Sequence, residues 1–152
     1  MKNRTLAKFI KYVSLGILGM LGLSCYILAD TFFIANRLGP DGLASLNLAI
    51  PIYSFISGLG LMLGIGGATQ YAILTARQEA GKANDYYNNT LLMGFLISIV
   101  LIFLGIFGSD SLSHFLGADE STFQMTNIYL KTILIFSPAF ILNNIMLAFV
   151  RN

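Results

Sequence analysis

The chain has no tryptophan, one cysteine, one histidine and three prolines, and only 11% of its 152 residues are Asp, Glu, Lys or Arg. A single cysteine, Cys25, excludes a disulfide framework within the chain and a cysteine-pair metal site. Placed inside an apolar run, it reads as a small buried hydrophobe. His114 falls in a polar break and reads as a solvated surface group. No P-loop, GxGxxG turn, catalytic triad or basic nucleic-acid surface is present. The chain is therefore expected to be neither an enzyme nor a nucleic-acid binder, and to carry no cofactor and no metal. The shortage of charge also argues against an ordinary soluble core. Hydrophobic residues make up 56% of the chain and mean hydropathy is +0.75, more apolar surface than a soluble domain of this size buries.

That apolar content is gathered into four runs, residues 12–35, 43–73, 90–107 and 128–150. A helix crosses the hydrocarbon core with about 20 residues, so each run is of spanning length. None shows the period-two alternation of a barrel strand, and only helices or closed barrels satisfy the backbone in lipid. The expected fold is an all-α membrane protein, a single membrane domain of four transmembrane helices. Its breaks read as a tight turn at residues 36–42, a polar helix-like linker at 76–89, and a longer loop at 109–127 carrying Asp119 and Glu120.

Lysine and arginine set the expected orientation. Lys2, Arg4, Lys8, Lys11, Arg77, Lys82 and Arg151 fall on one side of four crossings, and only Arg37 and Lys131 on the other. The positive-inside rule places both termini in the cytoplasm of a multi-pass cell-membrane protein. The sequons at Asn3 and Asn88 then face the cytoplasm and are discounted. The first apolar run is about 24 residues, longer than a signal-peptide core, and no small-x-small site closes it, so it reads as a retained helix.

Asp30 is the only acid inside these runs. A carboxylate at membrane depth costs on the order of 2.5–3.5 kcal/mol on insertion scales, so intramembrane acids mark ion coupling, proton relay or cationic-substrate binding. Counted from the cytoplasmic end, Asp30 lies about 18 residues in, roughly 27 Å at 1.5 Å per residue, in the outer third of the membrane. Tyr26, Ile27, Phe33 and Ile34 are its neighbours one helical turn away, so Tyr26 can offer a phenol on one flank. A local alternative stands beside the functional one: Asp30 snorkels toward Arg37, two turns on.

The second run is broken and glycine-rich. Pro51 removes a donor and clashes with the carbonyl of Asn47, which predicts a kink or unwinding and a possible cavity. Gly60, Gly64 and Ala68, at four-residue spacing, predict a face for close helix packing. Elsewhere, Asn143 and Asn144 read as interhelical hydrogen-bonding groups, Pro138 predicts a kink in the fourth run, and Lys131 snorkels to the outer interface.

The segment Ala29-Asp30-Thr31-Phe32-Phe33-Ile34-Ala35-Asn36-Arg37-Leu38-Gly39, followed by Gly42-Leu43-Ala44-Ser45-Leu46-Asn47-Leu48-Ala49-Ile50-Pro51, resembles the first two helices of MATE-type multidrug and toxic-compound extrusion transporters. Residues 63–69, the loop 115–118 and Tyr129-Leu130 extend the resemblance, while Arg37 stands where that pattern has a small residue. The resemblance implies a proton- or sodium-coupled antiporter that expels drugs and other cationic or amphipathic compounds by alternating access. It implies twelve helices in two six-helix lobes, of which this chain supplies the first four, with Asp30 in the coupling role. The chain is then expected to be an N-terminal fragment whose partners are drug-like molecules, the bilayer, and the missing C-terminal helices or another subunit. Two alternatives are carried with it: a four-helix small multidrug-resistance type that works as a dimer, and a non-transporting membrane fragment.

Overall fold

A computed structural model describes the backbone of residues 2–151, with side chains at 10, 13, 14, 17–22 and from 24 onward. The side chains of Lys2, Arg4, Lys8 and Lys11, and the sequon at Asn3, lie outside the described residues. The elements in order are α1 (Lys2–Ala76), α2 (Ala80–Phe107), α3 (Ser109–Phe115), α4 (Phe123–Ile135) and α5 (Ser137–Arg151). They divide between two compact units, residues 1–43 and 44–152.

The fold is all-α among the described residues, and its apolar helices fit a membrane. Ile17–Ala76 and Ala80–Phe107 are long and apolar enough to cross one, and α4 with α5, bent by 50° at their junction, form a third such segment. At 1.5 Å per residue, an unbroken α1 of 75 residues would be nearly four times as long as the hydrocarbon core is thick. It is not unbroken. Gly39, with φ 67° and ψ −157°, divides α1 into two limbs, residues 2–38 and 40–76. Only glycine takes these dihedrals without strain. Pro40 follows at the first position of the second limb, where its missing N–H has no helical acceptor to lose.

The first limb makes up most of the unit 1–43, which ends in the first residues of the second limb. Its apolar side chains Ile17, Leu18, Leu21, Leu28, Phe32 and Phe33 are exposed, whereas Ile34 is buried. Cys25 is exposed as well, which corrects the sequence expectation. In a membrane chain, hydropathy does not distinguish a lipid-facing position from a core one.

The second unit is a bundle of the second limb with α2, α4 and α5. Ile56, Leu101, Leu134, Ile141 and Ile145 form its core. Glycines set how closely the backbones approach: a Cβ at Gly64 would stand 2.9 Å from Ala148 Cβ and 2.9 Å from Ile145 Cα, and one at Gly105 would stand 2.7 Å from Leu134 Cβ. Hydroxyls in the helices mostly bond within their own helix. Thr31, Thr69, Thr75, Thr90, Ser98, Ser113 and Thr132 each donate to the carbonyl four residues back, at 2.7–2.8 Å.

Several boundaries differ from those expected. The third apolar helix starts at Ala80 rather than at Thr90, because the polar stretch 81–89 contains no proline, its one glycine falls in the first turn, and hydropathy marks only the lipid-facing part of a helix. The break that precedes it is short. Glu79 N–H donates to Leu74 O at 3.0 Å and Gln78 N–H to Thr75 O at 3.0 Å, with Gln78 at φ 61°. This pair of bonds is a Schellman closure with glutamine in the left-handed position. The loop 109–127 contains the short helix α3, which closes in the same way: Ala118 N–H donates to Ser113 O at 3.1 Å and Gly117 N–H to His114 O at 3.0 Å, with Gly117 at φ 89°.

The expected unwinding at Pro51 does not occur, since Gly39 alone in α1 departs from helical dihedrals. A single proline removes one hydrogen bond and leaves φ compatible with a helix. The fourth run starts at Phe123 rather than at residue 128 and is interrupted at Phe136, with Pro138 second in α5. Pro138 has no N–H to give Leu134, and its ring crowds that carbonyl.

Candidate functional site

Asp30 lies on the first limb and is exposed. Thr31 beside it is tied to its own helix through Ile27 O at 2.8 Å, and Phe32 and Phe33 meet edge to face at 6.0 Å. Tyr26, one turn back, is 67% exposed. Among the described residues of its own unit, Asp30 makes no hydrogen bond or ion pair. The pairing with Arg37 is absent, whereas Lys82 Nζ pairs with Glu79 Oε2 at 2.6 Å. An exposed carboxylate on an apolar helix is the chemistry of an exchangeable cation or proton ligand.

Asn47 and Pro51 lie on the second limb, in the other unit, and both are exposed. Asn47 O has no proline N–H to accept from at the position four residues on. Gly60, Gly64 and Ala68 are buried, and the two glycines lie against the α5 backbone at Ile141 and Ile145. Asn144 Nδ2 donates to Phe140 O at 2.9 Å, so this amide bonds within α5 and not between helices. Asn143 and Lys131 are exposed.

Two clefts in the second unit escaped the sequence reading. One, of about 380 Å³, is lined by Tyr71, Asn84, Tyr87, Met146, Phe149 and Val150. Its three rings pack edge to face, with Tyr87 and Phe149 centroids 5.0 Å apart and Tyr71 and Phe149 5.6 Å apart. The other, of about 520 Å³, lies along the second limb and α2 and includes Met62, Gly66, Tyr86, Asn89 and Met93. The only available signal was that Tyr71, Tyr86 and Tyr87 bracket the polar break at 77–79.

The loop ahead of α4 is organised by Asp119. Asp119 Oδ1 accepts from Thr122 Oγ1 at 2.6 Å, Thr122 N–H at 2.9 Å and Ser121 Oγ at 3.0 Å, while Asp119 N–H donates to Thr122 Oγ1 at 3.1 Å. This reciprocal arrangement is a capping box with threonine in the third position. The Thr122 hydroxyl, then the Thr122 backbone N–H, hold the Asp119 carboxyl below its ordinary value of 3.8. His114 stacks on Phe123 with centroids 4.4 Å apart, and Asn127 donates to Asp110. No cluster of metal-ligating side chains occurs among the described residues.

Comparison with known proteins places this chain. The family model MatE matches residues 16–152. The multidrug export protein MepA of Staphylococcus saprophyticus is 28% identical over 127 residues, which cover 84% of this chain and 28% of that protein. The FAD transporter of Shewanella oneidensis is 30% identical over 128 residues, 84% of this chain and 27% of that protein. MepA of Staphylococcus aureus is 25% identical over 126 residues, 83% of this chain and 28% of that protein. The chain thus spans little more than a quarter of the length of the curated relatives it matches. No solved structure matches.

Proposed function

Because the chain belongs to the MatE family, we propose that it works as part of an exporter that exchanges drug-like cationic or amphipathic compounds for protons or sodium ions by alternating access. Asp30 is the coupling group in this reading. The supporting observation is its placement: the only acid within the apolar runs stands exposed on its helix, without a partner in its own unit. A carboxylate so placed is free to take and release a cation, whereas one locked in an ion pair is not. The likeness to multidrug export proteins supports the substrate class. Both termini of this chain lie in the cytoplasm, and the membrane, the substrate and either further helices or another subunit are its partners.

The test is ethidium efflux from cells that express the protein from its complete reading frame, compared with Asp30→Asn. Efflux falls at least about tenfold in the variant, the scale of losing about 1.4 kcal/mol or more of coupling. Unchanged efflux in Asp30→Asn removes the assigned role. A protonophore and removal of external sodium, applied separately, identify the ion.

A second reading takes its support from the FAD transporter likeness. The compound that name specifies is FAD, whose pyrophosphate makes it an anion. Flavin accumulating outside the cells, with no clearance of ethidium, favours it.

A further inference from the structure

Most of the described helical hydroxyls named above satisfy themselves on the carbonyl four residues back, and Ser45 and Ser137 donate to a carbonyl on another segment, but Thr126 does neither. Its side chain is fully buried, and its Oγ1 has no hydrogen-bond partner. The reason lies at Thr122 O, the carbonyl it would use. That oxygen accepts the Thr126 N–H at 2.9 Å and the Ser45 Oγ at 3.2 Å. A carbonyl has two lone pairs, and both are taken. Ser45, fully buried at the start of the second unit, thus occupies the acceptor that the Thr126 hydroxyl would otherwise reach by rotating about χ1.

We propose that Ser45, Thr122 and Thr126 form an exchangeable latch between the second limb of α1 and the first turn of α4. In the engaged state, the one described here, Ser45 holds the Thr122 carbonyl and the Thr126 hydroxyl is orphaned. When the second limb withdraws from α4, the Thr126 hydroxyl turns onto Thr122 O, as Ser113 and Thr132 do on their own carbonyls. The carbonyl keeps two donors in both states. An ordinary interhelical bond leaves a buried acceptor unsatisfied when it opens, which opposes opening. Here opening satisfies the Thr126 hydroxyl as it releases that of Ser45, so the exchange adds no unsatisfied group at the carbonyl. The two arrangements are therefore close in free energy, as a moving joint in a helical bundle requires. Asp119 fixes the third element of the latch, because its carboxylate holds the Thr122 N–H and hydroxyl and leaves only the carbonyl for exchange.

The latch predicts a change of sign that two independent structural residues would not produce. Thr126→Val is nearly isosteric and removes the orphaned hydroxyl. In the otherwise unchanged protein it favours the engaged state, slowing amide hydrogen exchange over residues 45–50 by about tenfold, the scale set by relieving one buried unsatisfied group. In the Ser45→Ala background the Thr126 hydroxyl has the carbonyl to itself. There Thr126→Val lowers the thermal midpoint and speeds exchange in the first turn of α4. Thr126→Ser keeps the hydroxyl and tracks the parent protein in both backgrounds. The measurements are made on the protein from its complete reading frame in lipid nanodiscs. Effects of the same sign in both backgrounds overturn the latch. Should Thr126→Val fail to fold, Thr126→Ala carries the same comparison.

Discussion

Asp119 shows how one side chain organises a whole turn. Its carboxylate takes three hydrogen bonds from Ser121 and Thr122 and gives the chain its entry into α4. Because its folded pKa is depressed below 3.8, its stabilising contribution is complete above that pH and is lost as pH falls through the folded value. The thermal midpoint of Asp119→Ala therefore lies below that of the parent protein at neutral pH. The gap closes progressively as pH is lowered beneath about 3.8, and a gap that persists unchanged in acid would refute the capping role. Little of this was legible beforehand. Asp119 and Glu120 read as loop acids, since a capping box is recognised by Glu or Gln in the third position and Thr122 fills it instead. Asp30 was legible at once, because a lone charge in an apolar run has few innocuous explanations.

At the level of elements, the two Schellman closures form a natural experiment. Both end a helix with the same pair of backbone bonds, at Gly117 and at Gln78. Glycine adopts the left-handed conformation freely, whereas a residue with a Cβ carries about 1–2 kcal/mol of strain there. Gln78→Gly is therefore expected to stabilise the α1–α2 junction by about 0.5–1 kcal/mol, after allowing for the greater freedom of glycine in the unfolded chain. Gly117→Ala is expected to destabilise α3 by about 1 kcal/mol or more. Denaturant titration in mild detergent reads both, and two changes of the same sign would contradict the assignment.

The same comparison explains what the sequence disclosed about elements. Hydropathy marked the apolar runs because lipid selects side chains along them. It missed the start of α2 at Ala80, the helix α3 and the break at Phe136, because these are settled by backbone hydrogen bonds and steric limits that carry little hydropathy signal. Pro51 and Pro138 bear this out together. Pro51 sits within a continuous limb, whereas Pro40 and Pro138 lie beside breaks, and of these the one at Gly39 is set by glycine dihedrals.

Across the whole molecule, exposed large apolar residues such as Phe95, Val100, Phe103, Phe107 and Ile128 leave much of the helical surface for lipid. The charged groups lie almost entirely at the ends of the apolar segments. The orientation proposed above puts the loop 119–121 outside the cell and the junction 77–82 inside. In a Cys25→Ser background, Ser121→Cys should react with a membrane-impermeant maleimide on intact cells, and Lys82→Cys should react only after the cells are opened. The reverse pattern would invert the topology and place Asp30 in the inner third of the membrane.

The self-bonded hydroxyls also bear on how such a protein is made. Thr31, Thr69, Thr75 and Thr132 each find an acceptor one turn back on their own helix, so none has to wait for a neighbouring segment before it enters hydrocarbon. Each segment emerging from the ribosome is in this respect ready for the bilayer alone, and close packing at Gly60 and Gly64 can follow afterwards. Thr126 departs from that order. In the latch proposed above its hydroxyl holds Thr122 O until Ser45 packs against that carbonyl, which makes the contact a late step in assembly.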